Sequence, residues 1–234
     1  MSKPSLGSPT LLLFPTDLER RRFFDQGGVE PGHCLSALAG FGPVAAAART
    51  AELCARLRPR RVLLLGIAGT YDAARLAVGE AAAFTRVAID GVGVGEGRAF
   101  LGPPALGFPQ WPGETGSARV DDTLGLSAPE SAADALLLST CAASDSGEHA
   151  GHRLARFPAA VAEDMEGFAV ALACALAGVP CAIVRGMSNL VGDREPARWR
   201  IPAALSAARR VALDVLADEA WGEPADVPPS EARA

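Results

Sequence analysis

The chain has 234 residues, 49% of them hydrophobic and 6% aromatic, and its 27 acidic and 22 basic residues give a formal net charge of −5. The charges are scattered, whereas a nucleic-acid-binding surface needs clustered basic residues, so we expect no nucleic-acid partner. The length and the many small apolar residues favour one domain in which helices and strands alternate and pack closely.

Neither a membrane span nor a disulfide framework is predicted. The longest apolar run near the N-terminus, Leu11 to Phe14, is shorter than the apolar part of a secretion signal, so we expect a cytoplasmic protein without a membrane partner. The cysteines are odd in number and form no CxxC pair, which argues against disulfides and structural zinc. We expect reduced thiols that fill gaps in the core. They are Cys34, Cys54, Cys141, Cys174 and Cys181.

The two ends of the chain differ in composition from the rest. Ser, Pro and Gly are frequent in residues 1–9, and prolines and charges are frequent near the C-terminus. We predict a flexible leader at residues 1–9 and a disordered tail at residues 219–234. The domain then covers residues 10–218.

The domain begins with an apolar run, Thr10 to Phe14, a turn, and a charged segment. This order predicts a strand followed by a helix, with Thr16 or Asp17 as its N-cap. Glu19 then lies in the first turn of the helix, above a strand end. It is either an exposed acid that compensates the helix dipole or a functional carboxylate.

The next two apolar segments are both followed by glycines. Residues 35–39 form a short apolar segment, and residues 40–43 lead into an alanine-rich helix that ends at Leu57. Residues 61–65 form a buried strand that leaves through residues 66–70, Gly-Ile-Ala-Gly-Thr. The glycines permit the close approach of a ligand, or they serve only a strand-to-loop turn. Strands that leave through glycine-containing segments and alternate with helices indicate βαβ units, which predict a parallel sheet.

The middle of the chain is irregular. Residues 80–89 are predicted as strand, and the glycine run at 91–97 as a surface turn, because it lacks the Lys-Ser/Thr of a phosphate-binding loop. Residues 102–116 are rich in Pro and Gly and predict a long loop, a type of segment that often serves as a lid.

Another buried strand, Ala135 to Cys141, precedes a loop and helix at 144–157. His149 and His152 could share a face of that helix, but no third ligand has a suitable spacing, so we expect no metal.

The segment 163–193 is predicted as a helix from Asp164 and then a buried strand. Apolar residues recur at every fourth position and should face the core: Phe168, Leu172 and Leu176. Glu166 lies off that stripe, and its carboxylate could accept two hydrogen bonds from the hydroxyl pair of a ribose. Alternatively, Asp164 and Glu166 are only first-turn acids.

The strand that follows carries Arg185, Ser188 and Asn189 towards its carboxyl end, where open α/β sheets bind ligands. A C-terminal helix through Leu216 has apolar residues at helical spacing. They are Leu205, Ala208, Ala212 and Val215.

Four motifs, in this order, resemble those of the superfamily of purine nucleoside phosphorylases and methylthioadenosine nucleosidases. They are residues 14–19, 40–48 and 65–69, and residues 162–167 together with 178–180 and 184–189. The resemblance covers residues 10–218. It implies a single-domain, three-layer α/β/α sandwich around a twisted, mixed, mostly parallel sheet. It also implies a homo-oligomer, a dimer or larger, that takes a small nucleoside substrate.

Within this superfamily, residues 15–19, 66–71 and 188–194 resemble the futalosine hydrolase family. Members that cleave adenine nucleosides usually carry aspartate at the position of Asn189. An asparagine offers both an N–H and a carbonyl, which suits the O6/N7 edge of hypoxanthine, the base of futalosine. The resemblance implies hydrolysis of the N-glycosidic bond of futalosine in the alternative menaquinone pathway, without a cofactor or a metal.

The resemblance also implies roles for matching residues. Glu19 would activate the attacking water as general base. Glu166 would hold the ribose hydroxyls, and Met165 would pack against the sugar. Asn189 would hydrogen-bond the departing base. Further residues would line the pocket: Ala68, Gly69, Cys141, Ala142 and Ser188.

Two further residues have supporting roles in this scheme. Arg185 would order the Asn189 loop, and either water or Asp193 would protonate the base. Ile67 stands where nucleosidases often carry a serine near the water, so the resemblance does not tell how the water is held.

Three other functions are compatible with the fold. A phosphorylase would need cations near residues 66–71, and that segment contains none. An adenine-type nucleosidase is disfavoured by Asn189. A non-catalytic nucleoside-binding protein is disfavoured by the presence of both Glu19 and Glu166.

Overall fold

The computed structural model describes residues 8–25, 34–114, 118–129, 132 and 134–222. Within these ranges the chain forms nine strands of one sheet and six α-helices. The strands are β1 (Thr10–Phe14), β2 (Cys34–Leu38), β3 (Arg61–Thr70), β4 (Ala81–Phe84), β5 (Arg86–Asp90), β6 (Thr123–Gly125), β7 (Leu136–Thr140), β8 (Ala160–Asp164) and β9 (Cys181–Leu190). The helices are α1 (Asp17–Phe24), α2 (Pro43–Leu57), α3 (Pro103–Leu106), α4 (Gly147–Arg156), α5 (Gly167–Ala177) and α6 (Ile201–Ala217).

The sheet is mixed and mostly parallel. Its main order is β2-β1-β3-β8-β7-β5-β6, and β9 pairs with both β3 and β4. The long β3 is parallel to β1 and β9, but its last two residues, Gly69 and Thr70, pair antiparallel with β8. The ends of several strands therefore meet around the second half of β3.

Both faces of the sheet are buried, as alternate residues of β3 show. Val62 and Leu64 belong to a core that includes residues of α2 and α5, whereas Leu63 and Leu65 belong to one that includes residues of α1 and α6. Successive side chains of a strand point to opposite faces, so the continuous apolar run is that of a strand covered on both sides. The predicted three-layer architecture is confirmed.

Two helices match the sequence prediction closely. The alanine-rich helix ends at Leu57, where Arg58 adopts a left-handed conformation (φ 47°) that terminates it. The C-terminal helix is α6, and the predicted apolar positions are all buried: Leu205, Ala208, Ala212 and Val215. The glycine run at 91–97 is exposed and carries no strand, as predicted.

The predicted helix start at Asp164 is wrong. Residues Ala160–Asp164 form β8, which pairs with β7 and β3, and α5 begins only at Gly167. Glu163 and Asp164 are therefore buried acids of a strand. The predicted apolar stripe is also wrong at Leu176, which is 45% exposed, because α5 packs instead through small residues around most of its circumference.

Other boundaries differ in detail. The predicted exit at 66–70 is part of β3, whose pairing with β9 shifts register between Ala68 and Gly69. The predicted strand at 80–89 is two strands, β4 and β5, that separate at Thr85. The predicted loop at 102–116 contains the short helix α3.

The packed domain extends beyond the predicted boundary at 218. Trp221 is 4% exposed, and the Arg61 guanidinium lies 4.3 Å from the centroid of its ring. Residues 1–7 of the predicted leader and residues 223–234 of the predicted tail lie outside the described residues. No helix in the described part of the chain is long and apolar enough to cross a membrane.

The cysteines are free thiols in the structure. Cys54, Cys174 and Cys181 are buried, as expected of core residues. Cys34 is partly buried, and Cys141 is exposed, which corrects the prediction for that residue.

Candidate active site

A pocket of about 280 Å³ lies where β1, β3, β8 and β9 end. Its lining residues come from the turn after β1, from the second half of β3, and from the carboxyl ends of β8 and β9. Side chains from four distant parts of the sequence therefore meet at one place. The described residues contain no cluster of side chains suited to hold a metal ion.

Glu19 is 5% exposed, although it belongs to the first turn of α1. Its Oε2 accepts hydrogen bonds from the backbone N–H of Thr16 (2.9 Å) and from the Thr16 hydroxyl (2.6 Å). Its Oε1 accepts one from the backbone N–H of Ile67 (3.0 Å). Because Glu19 is buried and tied to β3, its interpretation as an exposed acid that only compensates the helix dipole is wrong.

Glu166 is the N-cap residue of α5 and is also 5% exposed. Its Oε1 accepts from the backbone N–H of Gly42 (2.9 Å), and its Oε2 accepts from Arg185 Nη2 (3.3 Å). Burial raises the pKa of Glu166 to about 7, against the opposing effect of the Arg185 charge, and the nearby Asp164 charge raises it further. The carboxylate is therefore poised to change its charge near neutral pH.

Arg185 lies beneath the pocket and is fully buried. Its Nε and Nη2 donate to Asp164, and Nη2 also donates to Glu166. Its third nitrogen, Nη1, has no partner among the described residues. A Cβ on Gly66 would collide with this Nη1 and would lie 2.6 Å from Glu19 Oε1, so both atoms face the same side of Gly66.

Asn189 lines the pocket near the end of β9, and its own loop orients its amide. The Ser188 hydroxyl donates to Asn189 Oδ1 (2.7 Å), and Asn189 Nδ2 donates to the Leu190 carbonyl (2.8 Å). The second N–H has only a long contact with the Asp193 carbonyl (3.5 Å). This N–H is available to a ligand acceptor.

Glu163 is a buried acid that ties together three segments around the pocket. It accepts from the hydroxyl and the backbone N–H of Ser144, both at 2.7 Å. It also accepts from Tyr71 Oη (2.6 Å) and Arg153 Nη1 (3.0 Å). Burial, followed by the Glu163 charge, strongly raises the pKa of Tyr71, so its phenol stays a proton donor in this bond.

A model of the phosphorylase superfamily matches residues 15–217, which is most of the chain. The chain belongs to the phosphorylase superfamily. Among curated proteins, a futalosine hydrolase of Thermus thermophilus is 36% identical over 89% of this chain and 96% of that protein. A futalosine hydrolase of Streptomyces coelicolor is 56% identical over a shorter stretch, 22% of each chain.

Solved structures of similar proteins share the fold. The futalosine hydrolase of Helicobacter pylori has a TM-score of 0.72 at 16% identity, over 91% of this chain and 99% of that one. A 5′-methylthioadenosine/S-adenosylhomocysteine nucleosidase of Colwellia psychrerythraea, solved with adenine, has a TM-score of 0.71 at 20% identity, over 90% and 95%. At these identities the likeness supports the superfamily fold alone.

Most of the predicted residues line the same pocket of this phosphorylase-superfamily chain. They are Glu19, Ala68, Gly69, Met165, Glu166, Ser188 and Asn189. Cys141 and Ala142 are exposed and do not line it; Ala143 and Ser144 do so instead. The loop after β7 turns inward two residues later than predicted because Glu163 holds Ser144.

The two supporting residues have other partners than predicted. Arg185 donates to Asp164 and Glu166 and, within the described part of the chain, to no residue of the Asn189 loop. Asp193 does not line the pocket, and its carboxylate is bound by Arg198 at 2.6 Å. That hydrogen bond lowers the pKa of Asp193, which makes it a poor proton donor.

The sequence did not predict several residues beside the pocket. It assigned no role to Glu163, Ser144, Tyr71 or Arg153, which form one buried network. The signal available was Glu163 itself, an acid that immediately follows the apolar run of β8.

Proposed function

We propose that this protein is a nucleosidase that hydrolyses the N-glycosidic bond of futalosine and releases hypoxanthine. The observation that carries the proposal is the convergence of the Glu19 and Glu166 carboxylates with the Asn189 amide on one pocket. The 36% identity to a futalosine hydrolase over 89% of this chain supports the substrate. This activity belongs to the futalosine route of menaquinone biosynthesis.

Glu19 acts as the general base. Thr16 fixes its Oε2, so Oε1 is the oxygen that takes the proton of the attacking water. The unpaired Nη1 of Arg185 faces the same side of Gly66 and can donate to the oxygen of that water. In this proposal Arg185 helps to hold the water in the place of the serine that nucleosidases often carry at the position of Ile67.

Glu166 holds the ribose. Its ionised carboxylate accepts hydrogen bonds from the vicinal hydroxyls, and Met165 packs against the sugar. Fixing the ring relative to Glu19 orients C1′ for attack. The negative charges around the pocket stabilise the oxocarbenium-like transition state of glycoside cleavage.

Asn189 binds the departing base. The N–H that has only the long contact with the Asp193 carbonyl donates to N7 of hypoxanthine and stabilises the negative charge that the base acquires as the bond breaks. Of the two predicted proton sources, Asp193 is bound by Arg198, so water protonates the base.

Water rather than phosphate is the nucleophile. A phosphate site needs several cationic or N–H donors, whereas the described pocket lining contains four acids and a single cation, Arg194. The charge of Arg185, beneath the pocket, is already paired with Asp164 and Glu166. The acids are Glu19, Glu163, Asp164 and Glu166. A phosphate dianion would be repelled from this pocket.

The chain forms a homo-oligomer through the face beside the pocket. Phe41 is 70% exposed, Val44 is 83% exposed and Leu18 is 54% exposed, which leaves an apolar surface next to the opening. Light scattering coupled to gel filtration should give a dimer or larger. Phe41→Asp should shift the mass towards the monomer.

The test is release of free base from purified protein, followed by chromatography. Futalosine should give hypoxanthine at the same rate with and without phosphate, and the matched adenine nucleoside should react more slowly. Glu19→Gln serves as the inactive control. Phosphate-dependent release would replace hydrolysis by phosphorolysis, and release from inosine but none from futalosine would refute the substrate.

A further inference from the structure

We infer that Arg153 is a positioning residue for the proposed reaction: it fixes the loop between β7 and α4 against the loop that follows Asn189, and so sets the shape of the pocket there. The inference rests on the proposed function, because it assumes that a nucleoside occupies the pocket. Arg153 is not among the residues that line this pocket, so it acts through the residues that it holds.

The loop between β7 and α4 contributes Ala143 and Ser144 to the pocket lining. The loop between β9 and α6 packs directly against it, because a Cβ on Gly192 would lie 2.7 Å from the backbone carbonyl carbon of Ser146. Gly192 and Asn189 line the same pocket. A displacement of the first loop would therefore change the distance between Ser144 and the Asn189 amide.

Arg153 belongs to α4, the helix that follows the first loop. Helical side chains lean towards the N-terminus of their helix, so Arg153 points back towards that loop. Its Nη1 donates to the Ser144 hydroxyl (2.7 Å), and its Nη2 donates to the Ala142 carbonyl (2.6 Å). Nη1 also donates to Glu163 (3.0 Å), which itself accepts twice from Ser144. The guanidinium thus holds the loop at two residues.

The remaining nitrogen of Arg153 is anchored at the end of β5. Nε donates to Asp90 Oδ2 (3.2 Å), and Asp90 also accepts from Arg156 Nη2 (2.7 Å). The side chains of Arg153 and Asp90 are 6% and 4% exposed. Because a guanidinium is planar and each of its nitrogens is bonded here, its orientation is fixed. The loop is therefore located relative to β5 and β8.

The stability of the fold does not by itself require a buried arginine at this position. Burying a charge has a high desolvation cost, and apolar residues of similar volume often replace a buried ion pair without loss of stability. An apolar side chain could not bind the hydroxyl of Ser144 and the carbonyl of Ala142. Holding these two groups is what the guanidinium adds.

The first test compares Arg153→Met with Arg156→Met. Both variants lose a bond to Asp90, but Arg156 donates to Asp90 and Gly97 and, in the described part of the chain, to no residue of the loop. We expect Arg153→Met to raise KM for futalosine by about 10- to 100-fold, the scale of one charge-assisted hydrogen bond, with a smaller change in kcat. Arg156→Met should keep KM close to that of the wild type. Circular dichroism verifies that both variants are folded.

A second test uses milder substitutions and shows whether Arg153 acts through the loop. Arg153→Lys keeps the charge but cannot bind Ala142 and Ser144 together with both acids, and Ser144→Ala removes the hydroxyl that Arg153 binds. Each should raise KM. The double variant should raise it by less than the product of the two single effects, because both changes disrupt one network.

The outcomes separate the inference from the proposed function. Similar KM values for Arg153→Met and Arg156→Met, independent effects of Arg153→Lys and Ser144→Ala, or a fall confined to kcat would refute the positioning role and leave the nucleosidase intact. No base release from futalosine by the wild type would refute the nucleosidase. Calorimetric affinities of the same variants for inosine would then test the positioning role, with the same pattern expected in Kd.

Discussion

Arg185 donates from both Nε and Nη2 to a single oxygen of Asp164, Oδ2, at 3.0 and 2.5 Å, and both side chains are buried. The same oxygen accepts from the backbone N–H of Gly167 at 2.9 Å. The pair therefore joins β9 to the end of β8 and fixes the start of α5. Because Glu166 lies between Asp164 and Gly167, the pair also positions the carboxylate that we propose as the ribose-binding group.

Asp164→Asn should destabilise the protein strongly. The substitution leaves Arg185 with Glu166 as its remaining ion-pair partner among the described residues. Removing one partner of a buried pair costs about 3–5 kcal/mol. Urea unfolding measures the loss. Asp193→Asn, which breaks an exposed pair with Arg198, is the matched control and should change stability little. Similar unfolding midpoints for the two variants would contradict the structural role of Asp164.

Glu166 should make the stability of the protein fall as the pH rises towards neutral. Its pKa in the folded state is about 7, above its value near 4.3 in the unfolded chain, so the folded state binds more protons between these values. Stability falls with pH wherever the folded state binds more protons. Glu166→Gln does not titrate, so the wild type should lose about 3 kcal/mol relative to it between about pH 4 and pH 8.

Denaturant unfolding of both proteins at several pH values tests this expectation. Glu148→Gln, a change at an exposed position of α4, should show no such pH-dependent difference from the wild type. A constant difference between wild type and Glu166→Gln across the range would contradict the raised pKa of Glu166.

Glu19→Gln should lower kcat for futalosine by about two to four orders of magnitude with a small change in KM, because the amide cannot take the proton of the water. Thr16→Ser keeps the hydroxyl that caps α1 and contacts Glu19 Oε2, so it should retain most of the activity. Steady-state rates of hypoxanthine release measure both variants. An active Glu19→Gln protein would assign the general base elsewhere.

The sequence predicted the site best where a side chain is placed by its own secondary structure. Glu19 follows a strand and opens a helix, and the structure keeps that local order. The sequence predicts a helix from Asp164, because acids beside an apolar segment are typical of a first helical turn, whereas Glu163 and Asp164 both belong to β8. Glu163 pairs with Arg153 of α4, and Asp164 pairs with Arg185 of β9. Because these partners belong to other elements, the periodicity of the segment could not identify them.

Contacts between separate elements also explain why Cys141 and Ala142 were wrongly predicted to line the pocket. Which residue of the loop after β7 turns inward depends on Glu163, which holds Ser144, and local sequence carries no trace of that bond. The pairing of Asp193 with Arg198 likewise depends on the path of the loop between β9 and α6.

Glu163→Gln should impair substrate binding more than the chemical step. Glu163 accepts four hydrogen bonds, from Tyr71, Arg153 and, twice, Ser144, and so positions the loop that lines the pocket. An amide cannot accept all four, so the loop should loosen. We expect KM for futalosine to rise about tenfold, the cost of roughly one strong hydrogen bond, with a smaller change in kcat. A fall confined to kcat would instead place Glu163 in the reaction itself.

Gly66→Ala should abolish most of the activity, although it adds only one methyl group. The new Cβ would collide with Arg185 Nη1 and lie 2.6 Å from Glu19 Oε1, so it would fill the space proposed for the attacking water and push the two groups apart. Since both groups are buried in the packed interior, they have little room to move. We expect kcat to fall at least about 100-fold, as for a displaced catalytic group. Gly151→Ala, in α4, meets no atom within 4 Å and is the control, which should stay active and become slightly more stable. Near-normal turnover by Gly66→Ala would show that the water is held somewhere other than beside Gly66.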